Sequence, residues 1–199
     1  MKNGWIIAVV IIAVLAIFGV IGYNGMVTQR NEVEKAWANV ETAYQRRANL
    51  IGNWVATVEK SADYERGTLT DVIQARSNAT SVKISVDDLS QENVKKFQDA
   101  QEALNQSFLG RMNFLTENYP TLTATENFKI LQNDITGTEN RIATQIIRYN
   151  DAANAYNNTI QTFPNVLFAG MFGFERKGLF QAKAGAENAP SVRDEFNKK

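Results

Sequence analysis

The chain has 199 residues, 44% of them hydrophobic, and its 21 basic residues balance its 21 acidic ones at a sequence pI near 6.4. A neutral chain of this kind carries no electrostatic footprint for nucleic acid, which excludes DNA and RNA as partners. The absence of histidine and cysteine rules out Ser-His-Asp and Cys-His triads, Glu-x-x-His di-metal sites, zinc knuckles, thiolate-held iron–sulfur clusters and disulfides.

Residues 5–23, WIIAVVIIAVLAIFGVIGY, hold no charge and are almost all apolar. At about 1.5 Å per residue this run spans roughly 28 Å, close to the hydrocarbon thickness of a bilayer. Trp5 and Tyr23 bracket it, where amphipathic rings favour the interface. A cleaved secretory signal is the rival reading, since Lys2 followed by an apolar run fits that pattern as well. No Ala-x-Ala site follows, however, and the run is longer than a usual signal core. Residues 1–24 therefore read as an uncleaved single-pass anchor in the cell (inner) membrane, with the bilayer itself as the first expected partner.

Orientation rests on weaker signals. Lys2 flanks one side, and Arg30 and Lys35 the other, offset by Glu32 and Glu34. The short leading tail fits a signal-anchor, and long domains translocate largely regardless of charge, so the domain is expected on the non-cytoplasmic side. A cysteine-free domain is compatible with export.

Past the anchor, apolar residues return at alternating steps of three and four. The first seam runs Tyr23, Met26, Arg30, Val33, Trp37, Val40, Tyr44, Arg47, Ile51, Trp54, Val58, a heptad stripe with two arginines on it. It starts in the anchor's last turn, so one helix is expected to run from membrane into domain, with a hinge at Gly22 and Gly25 as the alternative. A second helical stretch, about 62–80, carries Leu69, Val72, Ile73 and Arg76. Residues 81–90 lose the period and read as a loop, with Asp87, Asp88 or Ser90 as the next helix cap. The third seam runs Val94, Phe97, Gln101, Leu104, Phe108, Arg111, Leu115 and stops at Tyr119-Pro120.

The fourth seam starts near Thr123 or Thr125 and reads Phe128, Leu131, Ile135, Thr138, Ile142, Gln145, Tyr149, Ala152, Tyr156, Thr159, Phe163. It contains the repeated pairs Tyr149-Asn150 and Tyr156-Asn157. These read as packing rather than as a ligand site: the tyrosines lie on the stripe, and each asparagine sits one position round it, able to bond at the border of the core. Pro164 closes the helix. The seams together predict an all-α fold, an N-terminal transmembrane helix followed over 25–164 by a long antiparallel bundle of about four helices. An intermolecular coiled coil is the alternative use of the same stripes.

Arg47 and Arg111 occupy seam positions, where an unpaired guanidinium is costly. Each is expected to snorkel or to pair with a carboxylate such as Glu65, Glu139 or Asp134, with a buried anion or partner site as the sharper reading. Residues 165–199 are expected to form an extended strap and polar tail. Its apolar part, 165–181, includes Phe172, Phe174 and Phe180 among three glycines and sustains no helical period. Covering the bundle, joining subunits and dipping into a bilayer are its three readings, in that order.

The ordered elements resemble the LemA family of bacterial membrane proteins. The matching pieces are Tyr23-Asn24 after the anchor, QRRANLIGNWVATVEKSADYE at 45–65, Ala75-Arg76, and Tyr119-Pro120. The most specific is ENRIATQIIRYNDAANAYNNTIQTFP at 139–164, and Phe172-Gly173-Phe174, Phe180, Pro190 and Val192 follow it. Gly52 departs from the pattern, because many relatives place a proline there. The resemblance implies a single-pass membrane protein with a long helical bundle. Some relatives are linked to magnetosome membranes, others are encoded beside membrane proteases, and no catalytic residues carry over.

No Gly-x-x-x-x-Gly-Lys loop and no acidic run of EF-hand spacing is present. An enzyme is the least expected class, and no cofactor is expected. The leading function is a membrane-anchored scaffold that self-associates or organises other envelope membrane proteins. A membrane-remodelling protein and a ligand-sensing bundle with a polar site near Arg47 or Arg111 are the alternatives.

Overall fold

The structure, a computed structural model, describes residues 4–60 and 69–182. Glu65, Pro190 and Val192 lie outside the described residues, as do the start of the expected second helix and the tail beyond 182. Helix α1 (Gly4–Glu59) is unbroken for 56 residues, about 84 Å of rod. Its first part contains an 18-residue window of mean hydropathy 3.0, none of it buried, long and apolar enough to cross a membrane. Gly22 and Gly25 both lie inside α1, so the helix runs on as expected and the alternative, a hinge there, is not formed.

Helices α2 (Thr70–Ser81), α3 (Gln91–Asn118) and α5 (Glu126–Gln161) complete an antiparallel bundle with α1, and a single turn, α4 (Pro120–Thr123), links α3 to α5. Local chemistry sets the boundaries. Ser90 caps α3, its hydroxyl accepting the Asn93 N–H at 3.2 Å. Tyr119, kept out of helical geometry by the following proline, at φ −130° and ψ 61°, separates α3 from α4. α1 packs most closely on α5 and α2 on α3.

The core forms two apolar clusters along the rod. In the proximal one, nearer the apolar stretch of α1, Trp37 and Tyr44 of α1 meet Phe97 of α3 and Tyr149 and Tyr156 of α5. In the distal one, Ile51, Trp54 and Val58 meet Leu104, Phe108 and Leu115 of α3 and Phe128 of α5. α2 is too short to reach the proximal cluster, where Val82, Ile84 and Val86 of the α2–α3 connection fill the space instead.

Five sequence expectations are corrected. On α3 the step after Phe108 is four, not three, so Met112 is buried and Arg111 turns aside. On α5 the order of steps is likewise inverted, burying Ala153 and Ile160 rather than Ala152 and Thr159. Both follow from the 3.6-residue turn, which drifts against a strict heptad. Phe163 is 75% exposed, because α5 has already ended and the chain turns before Pro164. Ile73 is exposed, as one face of α2 meets solvent. The 165–181 segment, expected to lack helix, opens with a short one, α6 (Val166–Ala169), and a 3-10 turn at 170–172.

Trp54 fills the distal cluster with rings of Phe108 and Phe128 at 5.0 and 6.2 Å. Trp54→Ala is expected to lower the unfolding free energy by about 3–5 kcal/mol. Ile147→Ala, at a site 62% exposed, is expected to change it by about 0.5 kcal/mol or less. Denaturant unfolding of the full chain in detergent, followed by helical circular dichroism, measures both.

Candidate functional site: a clamped strap and a polar layer

After Gly173 the chain runs without regular secondary structure along the groove between α3 and α5. A strap buried among helices has no sheet neighbour, so its N–H and C=O groups need other partners. Here side-chain amides supply them. Asn157 donates to the Lys177 carbonyl and accepts from the Lys177 N–H, both at 2.8 Å. Asn150 does the same for Phe180, both at 3.0 Å. From α3, Gln91 clamps Leu179 in the same two-way manner at 2.9 Å, and Gln98 clamps Gln181 at 2.9 and 3.2 Å. Gly178 donates to the Leu89 carbonyl at 2.8 Å and its own carbonyl accepts from the Tyr149 hydroxyl at 2.9 Å. Every backbone N–H and C=O from Lys177 to Gln181 is thereby bonded.

The spacing explains the fit on α5. Asn150 and Asn157 are two turns apart, about 10.5 Å along the helix. Lys177 to Phe180 is three residues of extended chain, about 10 Å. Gly178 has no room for a side chain: a Cβ there would sit 2.6 Å from the Gln91 Cα and 2.8 Å from the Ser90 carbonyl oxygen. Phe180 then inserts into the proximal cluster, stacked on Trp37 at 6.0 Å and edge-on to Tyr149 at 5.5 Å.

Lys177 is buried, and its ammonium donates to the Val86 carbonyl at 2.8 Å and the Asp87 carbonyl at 3.3 Å. Burial pushes its pKa below the ordinary lysine value, and the Arg30 charge adds to this, against the pull of Asp87, Glu175 and Asp88. Burial pushes the Tyr149 phenol well above its ordinary value.

Between the two clusters lies a polar layer. Arg47, 3% exposed, donates to the Glu139 carboxylate at 3.1 Å and to the Gln101 carbonyl and side-chain oxygen at 2.8 and 2.9 Å. Gln101 in turn donates to the Ala79 carbonyl at 3.0 Å. The guanidinium also lies 4.9 Å from the Tyr44 ring centroid, a favourable cation–π placement. Thus the layer joins all four helices. Next to it, Arg76 of α2 donates to the Ala48 carbonyl at 2.8 Å. Its guanidinium lies 3.0 Å from where a Cβ at Gly52 would be, so it packs closely on α1 at that glycine.

The expected site residues thus separate. Tyr149, Asn150, Asn157 and Phe180 gather at the strap, while Arg47 and Glu139 meet in the polar layer. Tyr156 is buried in the proximal cluster without joining the clamp. Asp134 is exposed. Arg111 belongs to neither site: it reaches Asp71 of α2 at 3.7 Å and lies 5.5 Å from the Phe114 ring. Phe174 is buried and Phe172 is half exposed, and both pack edge-on against Tyr23, at 5.6 and 5.1 Å. Sequence reasoning missed Gln91, Gln98, Lys177 and Gly178. The available signal was the second amide pair, since Gln91 and Gln98 have the same seven-residue spacing as the two asparagines. Among the described residues no group of three or more acidic side chains could hold a metal ion.

The fold and this site define a helical bundle led by a membrane-length apolar helix and closed by an amide-clamped strap. The LemA family profile matches residues 36–193, and the chain belongs to that family. It is 26% identical to magnetosome protein MamQ 2 of Paramagnetospirillum magneticum, over 93% of this chain and 76% of that protein. It is 27% identical to protein LemA of Metamycoplasma hominis, over 80% of this chain and 68% of that one. Magnetosome protein MamQ of Magnetospirillum gryphiswaldense is 24% identical, over 83% of this chain and 66% of that protein.

Removing a clamp is expected to loosen the strap without melting the bundle. Asn150→Ala and Asn157→Ala each delete two hydrogen bonds, a loss of about 1–3 kcal/mol. The amide hydrogens of Lys177 and Phe180 are expected to exchange faster in the corresponding variant, while those of the α3 core stay protected.

The pH dependence follows from the sign of each shift. Tyr149 has a raised folded-state pKa, so its contribution is complete below the ordinary tyrosine value, about 10, and declines as pH rises past it. Lys177 has a lowered one and works in the opposite sense, favouring the folded state as pH rises towards about 10.4. The melting temperature of Tyr149→Phe is expected to fall less steeply above pH 10 than that of the natural chain.

Proposed function

We propose that the chain is a single-pass membrane-anchored scaffold of the bacterial cell envelope, which holds partner proteins or further copies of itself at a fixed height above the bilayer. The LemA assignment, the magnetosome relatives and the exposed apolar helix together support membrane association in the envelope. The observation that carries the scaffold is the continuity of α1, whose apolar stretch and buried seam are one helix. An unbroken helix transmits orientation, so whatever the bundle binds is fixed in angle as well as distance. The signal-anchor reading puts the bundle on the non-cytoplasmic side of the inner membrane, and protease access in spheroplasts tests that side.

The scaffold is tested by crosslinking in intact cells. The full chain is expected to yield crosslinks to itself or to other membrane proteins. Insertion of a flexible six-residue Gly-Ser linker after Gly25 is expected to reduce them several-fold while the bundle's melting temperature holds. A full chain that is monomeric in detergent and captures nothing in cells overturns the proposal.

A further inference from the structure

We infer that residues 163–172 form a second membrane contact, lying in the hydrocarbon of the leaflet on the bundle side, with lipid acyl chains filling the groove between this turn and α1. The inference rests on α1 crossing the bilayer, as proposed above, and does not depend on the scaffold.

Depth is the first argument. A groove of about 560 Å³ separates Ile12, Ala16 and Val20 of α1 from Phe168, Met171 and Phe172. Ile12 lies eleven residues before Tyr23, about 16 Å along the helix axis, and the hydrocarbon is about 30 Å thick. A turn that shares a groove with these positions lies at their depth, inside the apolar slab once α1 spans it.

Composition agrees. From Ala152 to Phe174 the chain has no Asp, Glu, Lys or Arg, and α1 has none from Gly4 to Gln29. The first charges beyond these segments are Arg30 on α1, and Asp151 and the run Glu175, Arg176, Lys177 on either side of the turn, with Arg30 paired to Asp87. The charges therefore begin together, on the bundle side of both segments. Within the charge-free zone Phe163 is 75% exposed, Leu167 58% and Met171 80%, an apolar surface that water leaves uncompensated.

The backbone is prepared as well. Hydrocarbon offers no partner for a free N–H, so irregular chain must bond its own. The N–H groups of Val166, Leu167, Phe168 and Ala169 donate to the carbonyls of Thr162, Pro164, Asn165 and Asn165, and those of Gly173 and Phe174 to Gly170 and Ala169. The Asn165 amide donates to the Thr159 carbonyl at 3.1 Å.

The cysteine-free chain permits a direct test. Full-length Met171→Cys, Ile11→Cys and Ile147→Cys are spin-labelled and reconstituted in phosphatidylethanolamine–phosphatidylglycerol vesicles. Power saturation then compares access by oxygen, which favours hydrocarbon, with access by a water-soluble nickel complex. The oxygen-to-nickel ratio at position 171 is expected to exceed that at 147 several-fold and to approach that at 11. A ratio at 171 equal to that at 147, with 11 in hydrocarbon, overturns the second contact and leaves the anchor standing. Aqueous access at 11 overturns both. Spin–spin broadening at 171 that disappears on dilution with unlabelled protein assigns the surface to a second copy and also overturns the inference.

Discussion

The segment that closes the bundle is not a helix, and that imposes the constraint from which much of the structure follows. A strap buried on three helices must bond its peptide groups to something, because leaving them dry and unpaired costs about 1–3 kcal/mol each. This chain meets the requirement with four side-chain amides on two helices, each gripping both polar groups of one strap residue. An amide side chain is the natural choice, since it carries a donor and an acceptor side by side, as a peptide group does. The helices thereby present a sheet edge to the strap without containing a strand.

Other features fit around that arrangement. The glycine at 178 is required where the strap passes the start of α3. α2 stops early, and the connection after it, rather than a helix, covers the proximal cluster. There Lys177 reaches across to the Val86 and Asp87 carbonyls, tying the strap to the connection. Phe180 enters the aromatic group around Trp37 while its own backbone is held on both sides by Asn150. The polar layer at Arg47 does a different job. It joins α1, α2, α3 and α5 at one height, and since Arg47 finds its partners only in one axial register, it opposes sliding of the helices past one another. Apolar stripes alone set that register less sharply.

How much could be read beforehand depended on whether the signal was local. The helices were legible because long apolar periods are local, and their ends because Ser90, Pro120 and Pro164 act on their own neighbours. The exact steps along the stripes were not. Arg111 and Met112 are both long and flexible, and the choice between them falls to the helical drift and to Asp71 on another element. The strap was partly legible. Tyr149, Asn150 and Asn157 were singled out by their repeat, yet their partners lie 20 to 30 residues downstream, where no period marks them. Gln91 and Gln98 share the spacing of the two asparagines, but what makes them useful is a backbone 83 to 88 residues away. Arg47 and Glu139 were legible as a pair of types, but their meeting depends on the antiparallel register of α1 and α5.

Tyr23 links the two halves of this molecule. It stands where the apolar stretch of α1 gives way to the buried seam, and its ring packs edge-on against both Phe172 and Phe174. Those two rings flank Gly173, whose φ of +71° turns the chain from the exposed turn into the clamped strap. A side-chain ring is thus held at the one level where apolar stretch, turn and strap meet. Because α1 is continuous and the strap is bonded at every residue from 177 to 181, neither can shift along the axis without disturbing that contact. The bundle is therefore coupled to the apolar stretch twice, once through the helix itself and once through the strap. A helix alone resists bending but leaves rotation about its own axis to the surrounding packing. The second attachment, off the axis, fixes the clamped strap and the apolar stretch relative to each other.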